Sequence, residues 1–156
     1  EPLGMNENNM RQVRKGMYSV VNDRRGTGYR SRVIADGVRM AGKSGTSQVR
    51  NITAAERARG VSRNEDLPWE RRDHALFVAF APFDKPRYAV SVLVEHGGGG
   101  STAAAPIARD VMLQAIYGGE PPLDAYPTAD RGRIAEQQKA LRAIQPQADF
   151  SGKDQA

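Results

Sequence analysis

The stretch Ala41-Gly42-Lys43-Ser44-Gly45-Thr46-Ser47-Gln48-Val49 decides how the rest of the chain is organised. It follows the alternating run Val38-Arg39-Met40-Ala41, and this alternation predicts a β-strand. A strand has a side-chain period of two, so Ser44 and Thr46 should lie on one face and Lys43 on the other. Lys43 supplies positive charge, the hydroxyls donate hydrogen bonds, and Gly45 lets another backbone come close. This composition suits a strand that approaches a small anionic substrate.

The same stretch has a competing interpretation as a phosphate-binding loop. Residues 37–44 match the pattern G-x-x-x-x-G-K-[ST] letter for letter. A phosphate loop follows a buried strand and opens a helix at its lysine, whereas the residues between these glycines alternate like a strand and Gly45 to Val49 is a poor helix start. A nucleotide-binding module therefore remains the alternative function. A non-catalytic interaction domain that uses the long loop and the polar tail is the third.

Composition excludes several other classes. The 156 residues suffice for one domain with a sizeable core. The net charge of +5 comes from basic residues interleaved with acids, so we expect a solvated surface and no nucleic-acid partner. The absence of cysteine excludes disulfides, thiolate metal sites and cysteine nucleophiles. His74 and His96 lack metal-ligand spacing and are predicted to be strand-end hydrogen-bonding groups, so we expect neither metal nor cofactor.

The remaining pattern predicts an antiparallel sheet covered by helices, an α+β fold. Residues 75–81 and 88–94 are almost wholly apolar strands, and 83–87 is short enough to join them as a hairpin. Strands that are apolar on both faces predict helices on both sides of the sheet. Between the lysine strand and this hairpin, residues 51–72 form a charged excursion, with a short helix expected over 53–59 that ends at Gly60.

Two longer helices should flank the strands. The first begins at a cap within 6–9, and the second is capped by Ser101 or Thr102, has Pro106 in its first turn and ends at Gly118-Gly119. The apolar positions expected to face the core are Met10, Val13, Met17, Val20 and Val21 in the first helix, and Ile107, Val111, Met112, Ala115 and Ile116 in the second. Beyond 120 the chain becomes rich in proline and polar residues, which predicts a mobile polar tail over 121–156, with a loose helix over 131–144.

Three segments in this order resemble class B penicillin-binding proteins, and most of all their elongation group, penicillin-binding protein 2. The segments are Gly42 to Val49, Asp73 to Pro82 and Tyr88 to Gly98, and the residues at 16–22 and 103–108 are also similar to that family. The likeness covers about residues 5–120. It implies the C-terminal part of a β-lactamase/transpeptidase-like domain over 1–120, with three of its five sheet strands.

The resemblance implies peptidoglycan D,D-transpeptidation through a serine acyl-enzyme, which cross-links stem peptides at D-Ala-D-Ala during cell elongation. It places the protein at the periplasmic face of the bacterial inner membrane, with its anchor outside this chain. Lys43 would help to hold the substrate carboxylate as part of the catalytic site. Ser44, Gly45 and Thr46 would bind the substrate, and the backbone N–H of Thr46 would form half of the oxyanion hole.

Other family motifs are missing from the sequence. It contains no S-x-x-K, and Ser62-Arg63-Asn64 matches S-x-N only by letters, because the family has that motif before the lysine strand. We therefore expect this segment to be inactive alone and to need the upstream part of the same protein. The other implied partners are stem peptides, β-lactams and a membrane glycan polymerase. Without the family's first two strands, the 88–94 strand should expose an edge through which the segment dimerises.

Overall fold

The computed structural model describes residues 4–144 as a three-stranded antiparallel sheet with helices packed around it. The strands lie in chain order, as the sequence predicts. Their bounds are β1 Ala41–Ser47, β2 His74–Ala81 and β3 Tyr88–Val94. The α-helices are α1 Glu7–Asn22, α2 Ala54–Arg59, α3 Ala105–Tyr117 and α4 Thr128–Ile144.

Helix starts and ends follow the capping residues. The side chain of Asn6 accepts hydrogen bonds from the backbone N–H groups of Asn8 and Asn9, which fixes the start of α1. Thr53 caps α2 in the same way, and Gly60 ends that helix at a φ of 99°. Gly118 ends α3 in the left-handed conformation that glycine adopts without steric cost. These bounds confirm the predicted helices.

The start of α3 differs from the prediction that Ser101 or Thr102 caps it. The chain already turns as one turn of π-helix over Gly100–Ala104, and the Thr102 hydroxyl donates to the Gly99 carbonyl oxygen. The buried face also differs. Ala105, Ala108, Met112 and Leu113 are buried, whereas Ile107 and Val111 are about half exposed. The helix buries its alanine face because small side chains allow the helix axis to approach the sheet closely.

Only one face of the sheet is fully covered, which corrects the expectation of two buried faces. Ala75, Phe77, Ala79 and Ala81 of β2 are buried against the core. On the opposite face of the two hairpin strands, Val78 is 43% exposed and Leu93 57% exposed. The described helices are therefore too few to cover both faces of this apolar hairpin.

The predicted mobile tail is wrong for residues 121–144, whereas the helix expected over 131–144 is present as part of α4. Ala125, Tyr126 and Ile134 belong to the same core cluster as Phe77 and Met112. The Gln138 side-chain amide donates to the Pro121 carbonyl oxygen at 2.7 Å, and this bond is buried. The polar composition of this segment led to the wrong prediction, because α4 buries only a narrow stripe of its surface and most of its residues remain exposed. Residues 145–156 lie outside the described part of the chain, so the tail stays a prediction there.

A buried arginine joins α3 to α4. Arg109 is 1% exposed, and its guanidinium donates to Asp110 at 2.8 Å and to Asp130 at 2.6 Å. Its charge also lies over the Tyr126 ring, 5.0 Å from the centroid. Burial raises the pKa of the Tyr126 phenol to about 12, so this ring stays neutral beside the ion pair. Across residues 4–144, no helix is long and apolar enough to cross a membrane.

Candidate active-site strand

β1 carries the lysine segment along one side of the sheet. Its register pairs Lys43 with Val78, Ser44 with Phe77, Gly45 with Leu76 and Thr46 with Ala75. Ser44 and Thr46 therefore share a face with Phe77 and Ala75, and Lys43 lies on the other face, as the strand period predicts. Since β1 pairs only with β2 among the described strands, its outer edge has no strand partner there.

Gly42 gives β1 its close fit to β2. A Cβ atom at Gly42 would lie 2.6 Å from the Phe77 ring, closer than real Cβ contacts allow. The missing side chain lets Phe77, which is fully buried, pack directly under the strand. The outer strand is thus fixed to the core just before its polar residues Lys43, Ser44 and Thr46.

The polar groups of β1 are oriented by local hydrogen bonds. The Lys43 ammonium donates to the Ser44 carbonyl oxygen at 2.7 Å, so the charge stays beside the strand although the side chain belongs to the opposite face. The Ser44 hydroxyl oxygen lies 3.2 Å from that of Thr27. Sequence reasoning missed Thr27, which it placed in a polar loop. The Gly28 N–H donates to the Val20 carbonyl oxygen and anchors that loop to α1, a contact that no local sequence pattern indicates.

The Gly45 main chain has a close backbone neighbour, although the missing side chain of Gly45 does not admit it, since a Cβ there would meet only the Leu76 Cβ at 3.4 Å. That neighbour is Gly100, at the start of the π-helical turn. A Cβ atom at Gly100 would lie 2.5 Å from the Gly45 carbonyl oxygen and 3.0 Å from the Gly45 nitrogen. Two glycines from distant parts of the chain therefore meet beside Thr46.

The two histidines form a cluster with Trp69 at the end of the strands. The His74 Nδ1 atom accepts from the His96 backbone N–H at 2.9 Å, and the His96 Nδ1 atom lies 2.9 Å from the Arg72 carbonyl oxygen. The first bond assigns the His74 ring proton to Nε2. The Trp69 and His96 ring centroids are 4.2 Å apart. Both histidines are strand-end hydrogen-bonding groups, as predicted, and Trp69 packs on one of them.

Hydrogen bonds made by side chains and an ion pair fix the excursion that connects β1 to β2. Asn64 accepts from the Asp73 backbone N–H at 2.9 Å, and the Asp73 carboxylate accepts from Val49 N–H at 3.2 Å. The engagement of Asn64 with Asp73 supports the view that Ser62-Arg63-Asn64 matches S-x-N by chance. Arg50 and Glu56 form a two-pronged ion pair with both distances at 2.6 Å. The hydrogen bonds from Arg50 lower the pKa of the Glu56 carboxyl below its usual range.

The structural context of a phosphate loop is absent from the described residues. Gly42, Lys43 and Ser44 lie inside β1, and the next helix begins only at Ala54. No helix N-terminus therefore directs its N–H groups at the lysine, which is what phosphate binding at such a loop requires. Within 4–144 no group of three or more His, Asp or Glu residues is placed to hold a metal ion.

β1 carries the groups that a carboxylate site needs. It offers a cation, hydroxyls at Ser44 and Thr46 and the main-chain N–H groups of an outer strand, all within one short segment. Charged donors to carboxylates form the stronger protein hydrogen bonds.

Comparisons with known proteins match the part of the chain that contains β1. The family model of the penicillin binding protein transpeptidase domain matches residues 3–113. The peptidoglycan D,D-transpeptidase MrdA of Haemophilus influenzae is 44% identical over 64% of this chain and 15% of its own length. The MrdA protein of Escherichia coli K12 is 35% identical over 68% of this chain and 16% of its own length.

A solved structure shows the same fold. The complex between penicillin-binding protein (PBP2) and MreC from Helicobacter pylori matches with a TM-score of 0.55 and 32% identity, over 73% of this chain and 18% of that chain. The chain thus spans about 15% of the length of the curated relatives it matches. Because the family model covers well over half of the chain, including the whole sheet and its lysine strand, the chain belongs to the transpeptidase-domain family of penicillin-binding proteins.

Proposed function

We propose that this chain forms one wall of the active site of a peptidoglycan D,D-transpeptidase that works in cell elongation. The observation that carries the proposal is β1, an outer strand that presents Lys43, Ser44 and Thr46 in a domain of this family. The nucleophilic serine and its lysine base lie outside this chain.

In the proposed reaction, the serine attacks the carbonyl between the two D-Ala residues of a stem peptide, and the terminal D-Ala leaves as the amine. The acyl group then passes from the serine to the amino group of a second stem peptide. Lys43 and the hydroxyls of Ser44 and Thr46 hold the terminal carboxylate. Thr46 N–H donates to the oxygen on which negative charge develops, and loss of one such donor typically costs about 10²–10³ in rate.

β-Lactams fit the same wall. They carry a carboxylate close to a strained amide, so Lys43 and Ser44 would hold that carboxylate while the serine opens the ring. The product is a stable acyl-enzyme, and this makes the protein a β-lactam target.

The proposed substrate lies outside the cytoplasm, so the active site would stand at the periplasmic face of the inner membrane. Its partners there would be the upstream part of the same protein and a membrane glycan polymerase that makes the strands to be cross-linked. The similar protein from Helicobacter pylori was solved in complex with MreC, which supports work within an assembly.

Labelling with a fluorescent penicillin tests the proposal. The longer protein that contains this segment should label covalently, and the 156-residue chain alone should not. Lys43→Ala should lower the labelling rate about 10²-fold, because the carboxylate loses its cation. Lys85→Ala, which removes an exposed lysine of the hairpin loop, is the matched control and should label normally.

Two results would contradict parts of the proposal. Covalent label on the isolated chain would show that a nucleophile is present in it. A longer protein that takes no label, while a known penicillin-binding protein labels in the same experiment, would exclude the transpeptidase function.

A further inference from the structure

Gly100 occupies a hollow in the face of the sheet that the core covers. Gly45 and Leu76 are register partners, so their side-chain positions lie on the opposite face. On the core side, the main chain between the Ser44–Phe77 and Thr46–Ala75 pairs is therefore bare. Gly100 is buried against this bare main chain, and a Cβ there would collide with the carbonyl oxygens of Leu76 and Gly45.

The contact falls on the peptide group that matters for catalysis. The Gly45 carbonyl and the Thr46 N–H belong to one planar peptide unit. Any atom that pushes on the Gly45 oxygen therefore also tilts the Thr46 N–H. The position of Gly100 is thus coupled directly to the proposed oxyanion donor.

The chain around Gly100 is held from both sides. Before it, His96 has a φ of 54° and donates its N–H to His74, and Gly98 N–H donates to the Asp73 carbonyl at 2.8 Å. After it, Ala104 and Ala105 are completely buried in the core. β1 is paired on one side only in the described residues. The closest collision, with the Leu76 oxygen, falls on β2, which is paired on both sides, so a methyl group at Gly100 would be pushed towards β1 and would displace the Gly45 carbonyl.

We propose that Gly100 is a positioning residue, which sets the orientation of the Gly45–Thr46 peptide and thereby aligns the Thr46 N–H with the oxyanion. The inference rests on the proposed transpeptidase function. Thr46 touches the reacting oxygen, and Gly100 acts only through it. The contact requires glycine because even one methyl group would meet backbone atoms that cannot rotate away.

The test measures acylation of the longer protein by a fluorescent penicillin over a range of concentrations. Gly100→Ala should lower the limiting acylation rate about 10²-fold, the cost of a misplaced oxyanion donor. The concentration for half-maximal rate should change less than about threefold, because the carboxylate contacts remain. At completion of the reaction, the fraction of Gly100→Ala molecules that carry the label should equal the fraction found for the wild type.

Gly99→Ala is the matched control. A Cβ at Gly99 would meet only the Thr102 hydroxyl, the end of a side chain that can move, so the limiting rate should stay near that of the wild type. If Gly100→Ala keeps the wild-type limiting rate, the inference is overturned. It is overturned equally if the reactive fraction falls while the remaining molecules react at the normal rate, since that describes a structural role alone.

A second pair of variants covers the case in which Gly100→Ala does not fold. His74→Ala removes the acceptor of the His96 N–H and should lower the limiting rate about tenfold, whereas His74→Asn keeps an acceptor and should restore it to within about threefold. Equal limiting rates for these two variants would overturn the inference. Failure of the proposed function is distinguishable, because the wild-type protein itself would then take no label.

Discussion

Ser44 and Thr27 place two hydroxyl oxygens 3.2 Å apart beside the outer strand, and one must donate to the other. If Thr27 donates, the Ser44 proton is free to point at a substrate carboxylate. Thr27 thus prepares the donor that the proposed site needs. The strand period predicted the shared face of Ser44 and Thr46 because that relation is local. The pairings with Thr27 and Gly100 connect distant positions, and no local pattern encodes them.

Thr27→Val should weaken penicillin binding in the longer protein. Without a Thr27 hydroxyl to donate to the Ser44 oxygen, the Ser44 hydroxyl is no longer held with its proton turned towards the substrate, and the half-maximal penicillin concentration should rise about fivefold. Thr27→Ser keeps the hydroxyl and should behave like the wild type. The measurement is the concentration dependence of labelling, and an unchanged value in Thr27→Val would remove Thr27 from the site.

At the scale of elements, the sequence predicted the strands and most helix limits, since apolar runs and caps act over a few residues. It failed where the burial of an element depends on its neighbours. The face of α3 is set by the alanines that let it approach the sheet, although Ile107 and Val111 are larger and more apolar. α4 was missed as a core element because its burial depends on contacts between residues far apart in the sequence. These contacts are the bond from Arg109 to Asp130 and the packing of Tyr126 and Ile134 in the core.

The excursion between β1 and β2 should loosen in acid. The folded-state pKa of Glu56 is lowered below its ordinary 4.5, so its contribution to stability is complete above about pH 4.5 and is lost as the pH falls through the lowered value. Hydrogen exchange of α2, corrected for the intrinsic rate, should show constant protection from pH 7 to about 4.5 and a loss below it.

Glu56→Gln is the control for this acid response, because it removes the titrating carboxyl. Its protection should be lower and nearly independent of pH over the same range. A Glu56→Gln protein with the same acid transition as the wild type would assign the effect to another group.

At the scale of the whole molecule, the isolated segment should self-associate. Its hairpin presents an apolar face with Val78 and Leu93 exposed, and the β3 edge has no partner strand in the described residues. Such edges and faces favour pairing with another chain. Light scattering at micromolar concentration should give a dimer mass, and Leu93→Lys should shift it towards the monomer.

Ile144→Lys changes an even more exposed apolar residue on α4, away from the sheet, and should leave the dimer intact. The upstream part of the protein, if added, should compete with self-association because it would cover the same surface. A segment that stays monomeric at high concentration would contradict this prediction.

The order of the strands in the sheet also bears on how the molecule folds. β2 and β3 are joined by the short loop 82–87, so this hairpin closes at little entropic cost and can form first. β1 must then dock across the longer excursion 48–73. We therefore expect the strand with the lysine segment to dock after the hairpin, and insertions in the excursion to slow that step more than they change the final structure.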